Sequence, residues 1–356
     1  MKKLVVLLFT LAIFGGAKAV EAAELNFSVE TIPSEYQVDE KKTYLDLRLA
    51  PKQEREERFI LTNGTANPVD LEIIINHAVT NMNGVANYSA GETKNTDGLV
   101  YMIEDLVTYE KTVSIPANSS VTYPITIKMP DKEYEGVLAG GVTFKEVSKT
   151  ETAESTDAKG MAIENEFSFV KGLVLHGKEG EILPELNLIA AHPTQINGRN
   201  AFTTTIQNKQ PIYVSQVAVI SEIVKKGTTE VLYTNQKENM QMVPNSHMDF
   251  PTPLNGKKLE AGDYTAKVTV YAGKDDAGEY TYKNLAEEDE TYTDKWEFSK
   301  DFTVKAEEAK KLNKKDVSIP EDNSNVMYIL LGISFLVILI LLVIILRKRS
   351  HENKAK

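Results

Sequence analysis

The sequence predicts an all-β protein with two β-sandwich domains in tandem and one C-terminal transmembrane α-helix. Three observations support this fold class. Apolar side chains alternate with polar ones at a period of two residues in many short segments, which is typical of strands buried on one face. A polar stretch divides these segments into two groups. An uncharged run near the C-terminus is long enough to cross a bilayer as a helix.

The N-terminus has the pattern of a secretory signal peptide, predicted over residues 1–23. Lys2 and Lys3 form a positively charged start, and Leu4 to Gly16 form an apolar segment that precedes small residues suited to cleavage. An uncleaved anchor is the alternative, because Lys18 is unusual inside a cleavage site. Both interpretations place the residues that follow outside the cell.

The first predicted domain spans residues 26–146. Apolar residues alternate with polar ones in Tyr44–Leu49, Val69–Asn76 and Val121–Met129, which predicts half-buried strands of antiparallel sheets. In Leu99–Val107 the apolar residues instead share one helical face, which predicts a short inserted helix.

A linker is predicted at residues 147–160, because this stretch has almost no large apolar side chain to offset the entropy of ordering it. The second predicted domain spans residues 161–304. Its candidate strands are Phe167–His176, Leu186–Ala191, Ala201–Gln207, Val214–Lys225, Glu230–Tyr233, Asn239–Val243, Tyr264–Tyr271 and Trp296–Lys305. Many short strands at this spacing favour an immunoglobulin-like β-sandwich in each domain.

The C-terminal region predicts a membrane anchor. Residues 305–325 are rich in Lys, Glu and Asn and predict a stalk, with a brief helix at Ala306–Leu312. Val326–Leu346 carries no charge, and as a helix it would span about 31 Å, against a hydrocarbon core of roughly 30 Å. The basic tail, residues 347–356, predicts a cytoplasmic C-terminus. The expected localisation is the cell membrane, as a single-pass type I protein.

The chain contains no cysteine, so its predicted exported domains hold no disulfides.

The charge of the chain excludes several classes of partner. The net charge is −11; residues 1–23 contribute +2 and residues 324–356 contribute +4, which leaves −17 on the ectodomain. A surface this acidic repels nucleic acid, teichoic acids and anionic lipid headgroups. The expected ligand is therefore a neutral glycan or a protein, and no nucleic acid.

No short motif marks a catalytic, cofactor or metal site. The five histidines are scattered, and the chain has no His-Glu-x-x-His, Gly-x-Ser-x-Gly or phosphate-binding glycine loop. Paired carboxylates for glycoside hydrolysis stay open, because their required spacing is spatial. Asp275-Asp276 lies in a segment that slightly resembles a calcium loop, but a solvated hairpin turn is the favoured interpretation. The sequence therefore predicts no cofactor and no metal.

The polar stretch Thr80–Asp97 is the candidate ligand site of the first domain. Asn81, Asn83 and Asn87 supply amides that donate and accept hydrogen bonds, and Tyr88 offers an apolar face for a sugar ring. Neutral glycans require that mixture. The alternative is an ordinary long connection whose Asn and Gly residues serve turn geometry.

Several segments, taken in order and spacing, resemble the WxL-interacting protein family. They include Leu61-Thr62-Asn63-Gly64-Thr65, Gly136-Val137-Leu138-Ala139-Gly140-Gly141-Val142, Asn239-Met240-Gln241-Met242-Val243-Pro244-Asn245-Ser246 and Ala261-Gly262-Asp263-Tyr264. The resemblance implies a Gram-positive surface protein with a peptidoglycan-binding domain followed by a host-binding domain. It also implies partnership with a secreted WxL-domain surface protein. The chain itself has no Trp-x-Leu motif, because its one tryptophan lies in Trp296-Glu297-Phe298.

Together, residues and resemblance predict a non-enzymatic, membrane-anchored cell-surface protein that acts as an adhesion scaffold. Its expected partners are peptidoglycan and a WxL-domain protein, a host extracellular protein, or both. A membrane-anchored hydrolase that modifies the cell wall is the alternative. Release of reducing ends or muropeptides from purified sacculi separates the two.

Overall fold

A computed structural model describes most of the chain between the predicted signal peptide and the predicted membrane span. The described residues are 25–88, 98–147, 167–320 and 331–344. The predicted signal peptide (residues 1–23), residues 148–160 of the predicted linker and the predicted basic tail (residues 347–356) lie outside the described residues.

The first part of the chain builds two large sheets. Its strands are β1 (Phe27–Thr31), β2 (Leu45–Arg48), β3 (Glu54–Asn63), β4 (Val69–His77), β5 (Val79–Thr80), β6 (Ala86–Asn87), β7 (Val107–Tyr109), β8 (Thr112–Ile115), β9 (Ser119–Lys128), β10 (Val137–Glu146) and β11 (Ser168–His176). One sheet has the strand order β1-β3-β9-β7, and the other has the order β2-β11-β10-β4-β8. Strands β5 and β6 form a separate hairpin.

These two sheets pack face to face around an apolar core. Phe59 on β3 and Phe144 on β10 come from opposite sheets, and their rings meet edge to face with centroids 5.2 Å apart. Phe27 and Phe169 join the sheets in the same way at 5.0 Å. Burial alternates along Val69–His77, because successive side chains of a strand point to opposite faces. The structure of this region agrees with the predicted β-sandwich.

Strand β11 lies in the first sandwich, whereas its sequence position predicted Phe167–His176 to be part of the second domain. It is antiparallel to β10 on one side and parallel to β2 on the other. Leu173 and Leu175 are fully buried in the core of the first sandwich. The structural boundary between the sandwiches is therefore near residues 177–185 and not at 147–160. A period-two pattern identifies a strand and its buried face, but it does not identify the sheet that the strand joins.

The second sandwich follows this boundary. Its strands are β12 (Leu186–Ile196), β13 (Arg199–Asn208), β14 (Val214–Lys225), β15 (Val231–Met242), β16 (Ser246–Pro253), β17 (Gly262–Lys274), β18 (Tyr280–Lys283) and β19 (Asp289–Val304). The sheets have the orders β12-β13-β16 and β15-β14-β17-β19-β18. Phe202 and Phe302 meet across them, with ring centroids 5.4 Å apart. The two strands predicted at Glu230–Tyr233 and Asn239–Val243 are one strand, β15, which pairs with β14 through bulges.

A helix, α1 (Ala306–Lys315), closes the second sandwich. Ala309 is buried, and Leu312 packs beside it against the apolar cluster that contains Leu259 and Tyr264. The Asn313 side chain accepts a hydrogen bond from the Leu259 N–H at 2.8 Å and donates one to its carbonyl oxygen at 2.9 Å. The predicted stalk of residues 305–325 is therefore wrong for its first half, which is a docked part of the domain.

Two other predicted helices have different outcomes. The helix predicted at Leu99–Val107 is wrong: the segment contains a single 3₁₀ turn, Ile103–Asp105, in which Ile103 is the buried residue. In the predicted transmembrane segment Val326–Leu346, residues 331–344 are helical and exposed, and the flanking residues lie outside the described part. Within the described residues, no helix is both long and apolar enough to cross a membrane. The membrane span stays a prediction.

Candidate functional site

The hairpin β5–β6 of the first sandwich docks on the second sandwich. At its tip, Gly84 adopts a left-handed conformation with φ of 68°, and a Cβ added there would lie 2.3 Å from the Cβ of Met240. The N–H of Gln241 donates a 2.8 Å hydrogen bond to the Gly84 carbonyl oxygen. Only glycine fits this conformation at so close an approach, and this explains its position in the turn.

A buried polar cluster fixes the same contact. Thr80 Oγ1 lies 2.6 Å from Ser246 Oγ and accepts a 3.0 Å hydrogen bond from the N–H of Val243. Ser246 Oγ in turn donates to the Val243 carbonyl oxygen at 2.8 Å. Thr80 and Ser246 are buried, and hydrogen-bonded buried groups of this kind favour one geometry over neighbouring ones. The two sandwiches therefore meet in a specific interface.

The three asparagines predicted to bind glycan have other contacts in the structure. Asn81 Oδ1 accepts hydrogen bonds from the N–H groups of Asn83 and Val85, so this side chain shapes the turn. Asn83 Oδ1 accepts a 3.0 Å hydrogen bond from Lys237 of the second sandwich. Asn87 pairs its backbone with β5. These three residues belong to the hairpin and its docking contact.

Two of the predicted residues line cavities between the sandwiches. Asn83 borders a cavity of about 550 Å³ at the hairpin tip, beside Lys237, whereas Tyr88 borders a different cavity that contains three tyrosine rings. The latter cavity has a volume of about 460 Å³, and we call it the tyrosine cleft. It is lined by Lys42, Tyr44, Tyr88, Val170, Gly172, Val174, Tyr213, Ser215 and Gln241. The first six come from the first sandwich and the segment that follows β6, and the last three come from the second sandwich. Ligand sites often lie at such interfaces between domains, in cavities of roughly 300–1,000 Å³.

Two glycines allow two of the tyrosine rings to lie directly against the sheet. A Cβ on Gly141 of β10 would lie 2.7 Å from the Tyr88 ring, and one on Gly172 of β11 would lie 3.2 Å from the Tyr44 ring. The missing side chains thus leave room for the rings on the strand surface. Rings fixed in this way lose little conformational entropy when a ligand stacks on them.

The polar groups of the cleft are largely neutral. Burial raises the pKa of Tyr88 and of Tyr213, and the neighbouring tyrosines add to this rise, so both phenols stay protonated at physiological pH. Lys42 lies 5.2 Å from the centre of the Tyr44 ring and forms a 3.3 Å ion pair with Asp46. The hydrogen bond with the Tyr44 hydroxyl raises the pKa of Lys42 above its usual value; partial burial opposes this rise, and the charge of Asp46 adds to it. The lining therefore combines aromatic faces, hydroxyls, an amide and one paired cation.

Asp46 is buried behind the cleft. Its second oxygen lies 2.6 Å from Nε2 of His176, so both carboxylate oxygens have partners.

Among the described residues, no group of three or more His, Asp or Glu side chains could hold a metal ion. Asp275 accepts a hydrogen bond from the Ala277 N–H in the turn between β17 and β18. This turn does not close a hairpin as predicted, because both strands pair with β19 and not with each other.

Another cavity, of about 450 Å³, lies at one end of the first sandwich. Its lining includes Arg48, Pro51, Met129, Tyr134 and Lys178. Arg48 is paired with Glu179 there, and the lining contains a single aromatic ring. The tyrosine cleft offers three rings and therefore suits a sugar better.

Sequence reasoning missed Tyr44, Tyr213 and Gln241 as members of the site. Each of them lies in an ordinary strand or strand-entry pattern, and no local motif distinguishes it. They come together only through the docking of the two sandwiches. The one available signal was Tyr88, which the sequence predicts as a ligand contact and which lines the cleft.

Two solved structures to which the chain is similar share little of its sequence. The CsuC–CsuE chaperone–tip adhesion subunit complex of Acinetobacter baumannii has 9% identity and a TM-score of 0.32, covering 77% of this chain and 98% of that chain. The Pseudomonas aeruginosa CupB2 chaperone has 12% identity and a TM-score of 0.28, covering 74% of this chain and 99% of that chain. Scores this low carry no information on function. No curated protein matches the chain.

Two family models match in the order that the sequence motifs indicated. The WxL Interacting Protein peptidoglycan binding domain matches residues 27–146, and the WxL Interacting Protein host binding domain matches residues 158–314. The second match includes β11, which the structure places in the first sandwich, and α1, which closes the second. The tyrosine cleft thus takes side chains from both matched regions. With both domains present in this order over most of its length, the chain belongs to the WxL Interacting Protein family.

Proposed function

We propose that this chain is a non-enzymatic adhesion scaffold of the cell surface, and that its tyrosine cleft binds the glycan strands of peptidoglycan. The second sandwich then binds a protein, either a WxL-domain surface protein or a host extracellular protein. The observation that carries the proposal is the set of three tyrosines gathered at the junction of the two family domains.

The chemistry of the cleft matches an amino sugar. Tyrosine faces cover the apolar side of a pyranose ring, while Ser215 and Gln241 offer groups that donate and accept hydrogen bonds to hydroxyl and acetamido groups. A cavity of about 460 Å³ falls within the size range of small-molecule sites. These features favour the sugar portion of peptidoglycan over its peptide portion.

The lining also favours binding over hydrolysis. Glycoside hydrolases place two carboxyl groups on either side of the scissile bond. Among the described residues that line the tyrosine cleft, none carries a carboxyl group. Asp46 lies behind the lining, and Lys42 and His176 occupy its oxygens. The alternative of a cell-wall hydrolase therefore has no support at this cavity.

Anchoring completes the proposal. We infer that Val326–Leu346 spans the membrane and that residues 347–356 face the cytoplasm, on the basis of the uncharged run and the basic tail. The ectodomain then faces the cell wall and exterior. One chain would in this way connect the bilayer, the wall and a protein partner.

The ectodomain should sediment with purified sacculi from which teichoic acids have been removed. Because the body carries −17 and the one cleft cation is already paired, the attraction comes from stacking and hydrogen bonds. Raising salt from about 0.05 M to 0.5 M shortens the Debye length to a few ångströms, so retention should hold or improve as repulsion is screened. Retention that collapses over this range contradicts the mechanism.

The same incubation separates the scaffold from the hydrolase. A binding protein leaves the amount of soluble reducing ends and muropeptides at the level of untreated sacculi. Time-dependent release by the purified ectodomain supports the hydrolase instead.

A further inference from the structure

A basic groove lies beside α1 on a body that is otherwise strongly acidic. Four lysines, Lys258, Lys310, Lys314 and Lys315, line this groove of about 1050 Å³. Asp316 is the one carboxylate among the described residues of the lining, and only 4% of it is exposed. We call this surface the lysine groove.

Packing of α1 fixes the direction of the lysines. Ala309 and Leu312 face the second sandwich, and Asn313 is hydrogen-bonded to Leu259, so the helix has one rotational setting. Lys310 and Lys314 are four residues apart and therefore lie on the same side of the helix. Within the described part of the chain, none of the four groove lysines has a carboxylate within ion-pair distance.

Among the described residues, the acidic group that lines the groove is engaged, and those of α1 lie at the opposite end of the helix from Lys314 and Lys315. One Asp316 oxygen accepts a 2.7 Å hydrogen bond from the Asn200 N–H, and the other accepts from the Ser318 N–H at 2.8 Å. Glu307 and Glu308 lie in the first turn of α1, within three residues of Lys310, whereas Lys314 and Lys315 lie in the last turn. The positive charge of Lys314 and Lys315 in particular is thus open to an external anion.

The chain leads from this groove directly to the predicted membrane span. Pro320 is part of the groove lining, and Val326 follows it by six residues. Six extended residues reach at most about 20 Å, so the groove cannot be far from the bilayer surface. Val317, which is 74% exposed, and Ile319 add apolar side chains to the same rim. Lysines together with exposed apolar groups are typical of surfaces that contact anionic membranes.

We propose that the lysine groove docks on anionic phospholipid headgroups of the bilayer that holds the C-terminal span. This inference rests on the proposed membrane anchoring, but not on glycan binding. The net charge of the ectodomain predicted repulsion from such headgroups, and the groove is the local exception to it. Attraction at the groove and repulsion of the remaining body together orient the ectodomain, with α1 toward the membrane.

The test uses the full chain in liposomes. Because the chain contains no cysteine, Val317→Cys gives one attachment point for a fluorophore at the groove rim. Quenching by nitroxide-labelled headgroups then reports the proximity of the groove to the bilayer. We expect quenching in phosphatidylglycerol liposomes to exceed that in phosphatidylcholine liposomes by about twofold or more, and to fall to the phosphatidylcholine level at about 0.5 M salt.

Charge variants identify the residues responsible. The triple variant Lys310→Gln, Lys314→Gln, Lys315→Gln should lose the phosphatidylglycerol effect. A matched control, Lys52→Gln, Lys132→Gln, Lys178→Gln, removes the same charge from exposed lysines of the first sandwich and should retain it. Neutralising Glu321 and Asp322, which separate the groove from the span in sequence, should strengthen the effect.

Two results overturn the inference in distinguishable ways. Equal quenching in both lipids, or equal loss in the two triple variants, contradicts docking at the groove while the chain still floats with the liposomes. Failure of the unmodified chain to float with liposomes contradicts the anchoring itself. Neither result bears on the binding of sacculi by the tyrosine cleft.

Discussion

A fragment that ends at the predicted domain boundary, residues 26–146, should not fold, whereas a fragment of residues 26–182 should unfold cooperatively. The shorter fragment lacks β11, which lies between β2 and β10 in the second sheet of the first sandwich. It loses the buried side chains of Leu173, Val174 and Leu175. Each is worth roughly 1.5–3 kcal/mol, so the loss is comparable with the whole stability of a small domain.

Circular dichroism and urea titration check this prediction. The longer fragment should show β-sheet signal and one sharp unfolding transition, while the shorter fragment should show neither. A cooperative transition in residues 26–146 would contradict the strand order of this sheet. The comparison matters for any binding assay, because a fragment designed from the sequence alone would fail for reasons unrelated to its ligand.

Strand β11 also shows where prediction from the sequence ends. The alternation in Phe167–His176 correctly predicted a strand, as did the patterns at Val69–Asn76 and Val214–Lys225. Sheet membership depends on partners distant in sequence, and β11 pairs with β10 across the polar stretch and with β2 more than a hundred residues away. Local periodicity contains no information about such pairings. The prediction placed β11 in the second sandwich because the strand is close in sequence to the strands of that domain, whereas its pairing partners are in the first.

Replacing Tyr44 or Tyr213 by alanine should weaken retention on sacculi about tenfold, and replacing both should weaken it about a hundredfold. A sugar ring that covers roughly 60 Å² of a tyrosine face gains about 1.5 kcal/mol, and 1.4 kcal/mol corresponds to a factor of ten in Kd. The two rings come from opposite sandwiches, so the effects should be close to additive if each stacks on a different part of the glycan.

Matched variants separate stacking from general damage. Tyr44→Phe and Tyr213→Phe keep the ring and should retain most of the binding. Tyr280→Ala removes an exposed tyrosine on β18, outside the cleft, and should leave binding unchanged. Thermal unfolding of every variant shows whether the interface near Tyr213 is intact. Normal retention by a folded double alanine variant would contradict a glycan site at the cleft.

The candidate site was less predictable than the fold. The stretch containing Asn81, Asn83 and Asn87 was selected because amides suit glycans, but the structure uses it to shape and dock a hairpin. Asn81 satisfies turn N–H groups, and Asn83 accepts from Lys237 across the interface. A cleft that forms only when two domains meet leaves no spacing pattern in either domain. Tyr88 lies in the same polar stretch and was selected for its aromatic face; it lines the cleft, and its contact with a ligand stays a prediction.

The central claim is that both domains together form one glycan site, and photo-crosslinking tests it most directly. A peptidoglycan disaccharide carrying a diazirine is irradiated with the intact ectodomain, and mass spectrometry locates the labelled residues. The account predicts labels on both walls of the tyrosine cleft, near Tyr44 or Tyr88 in the first sandwich and near Tyr213 or Gln241 in the second. Excess unlabelled disaccharide should remove these labels. Competable labelling confined to one sandwich, or to the cavity lined by Arg48 and Lys178, would contradict it.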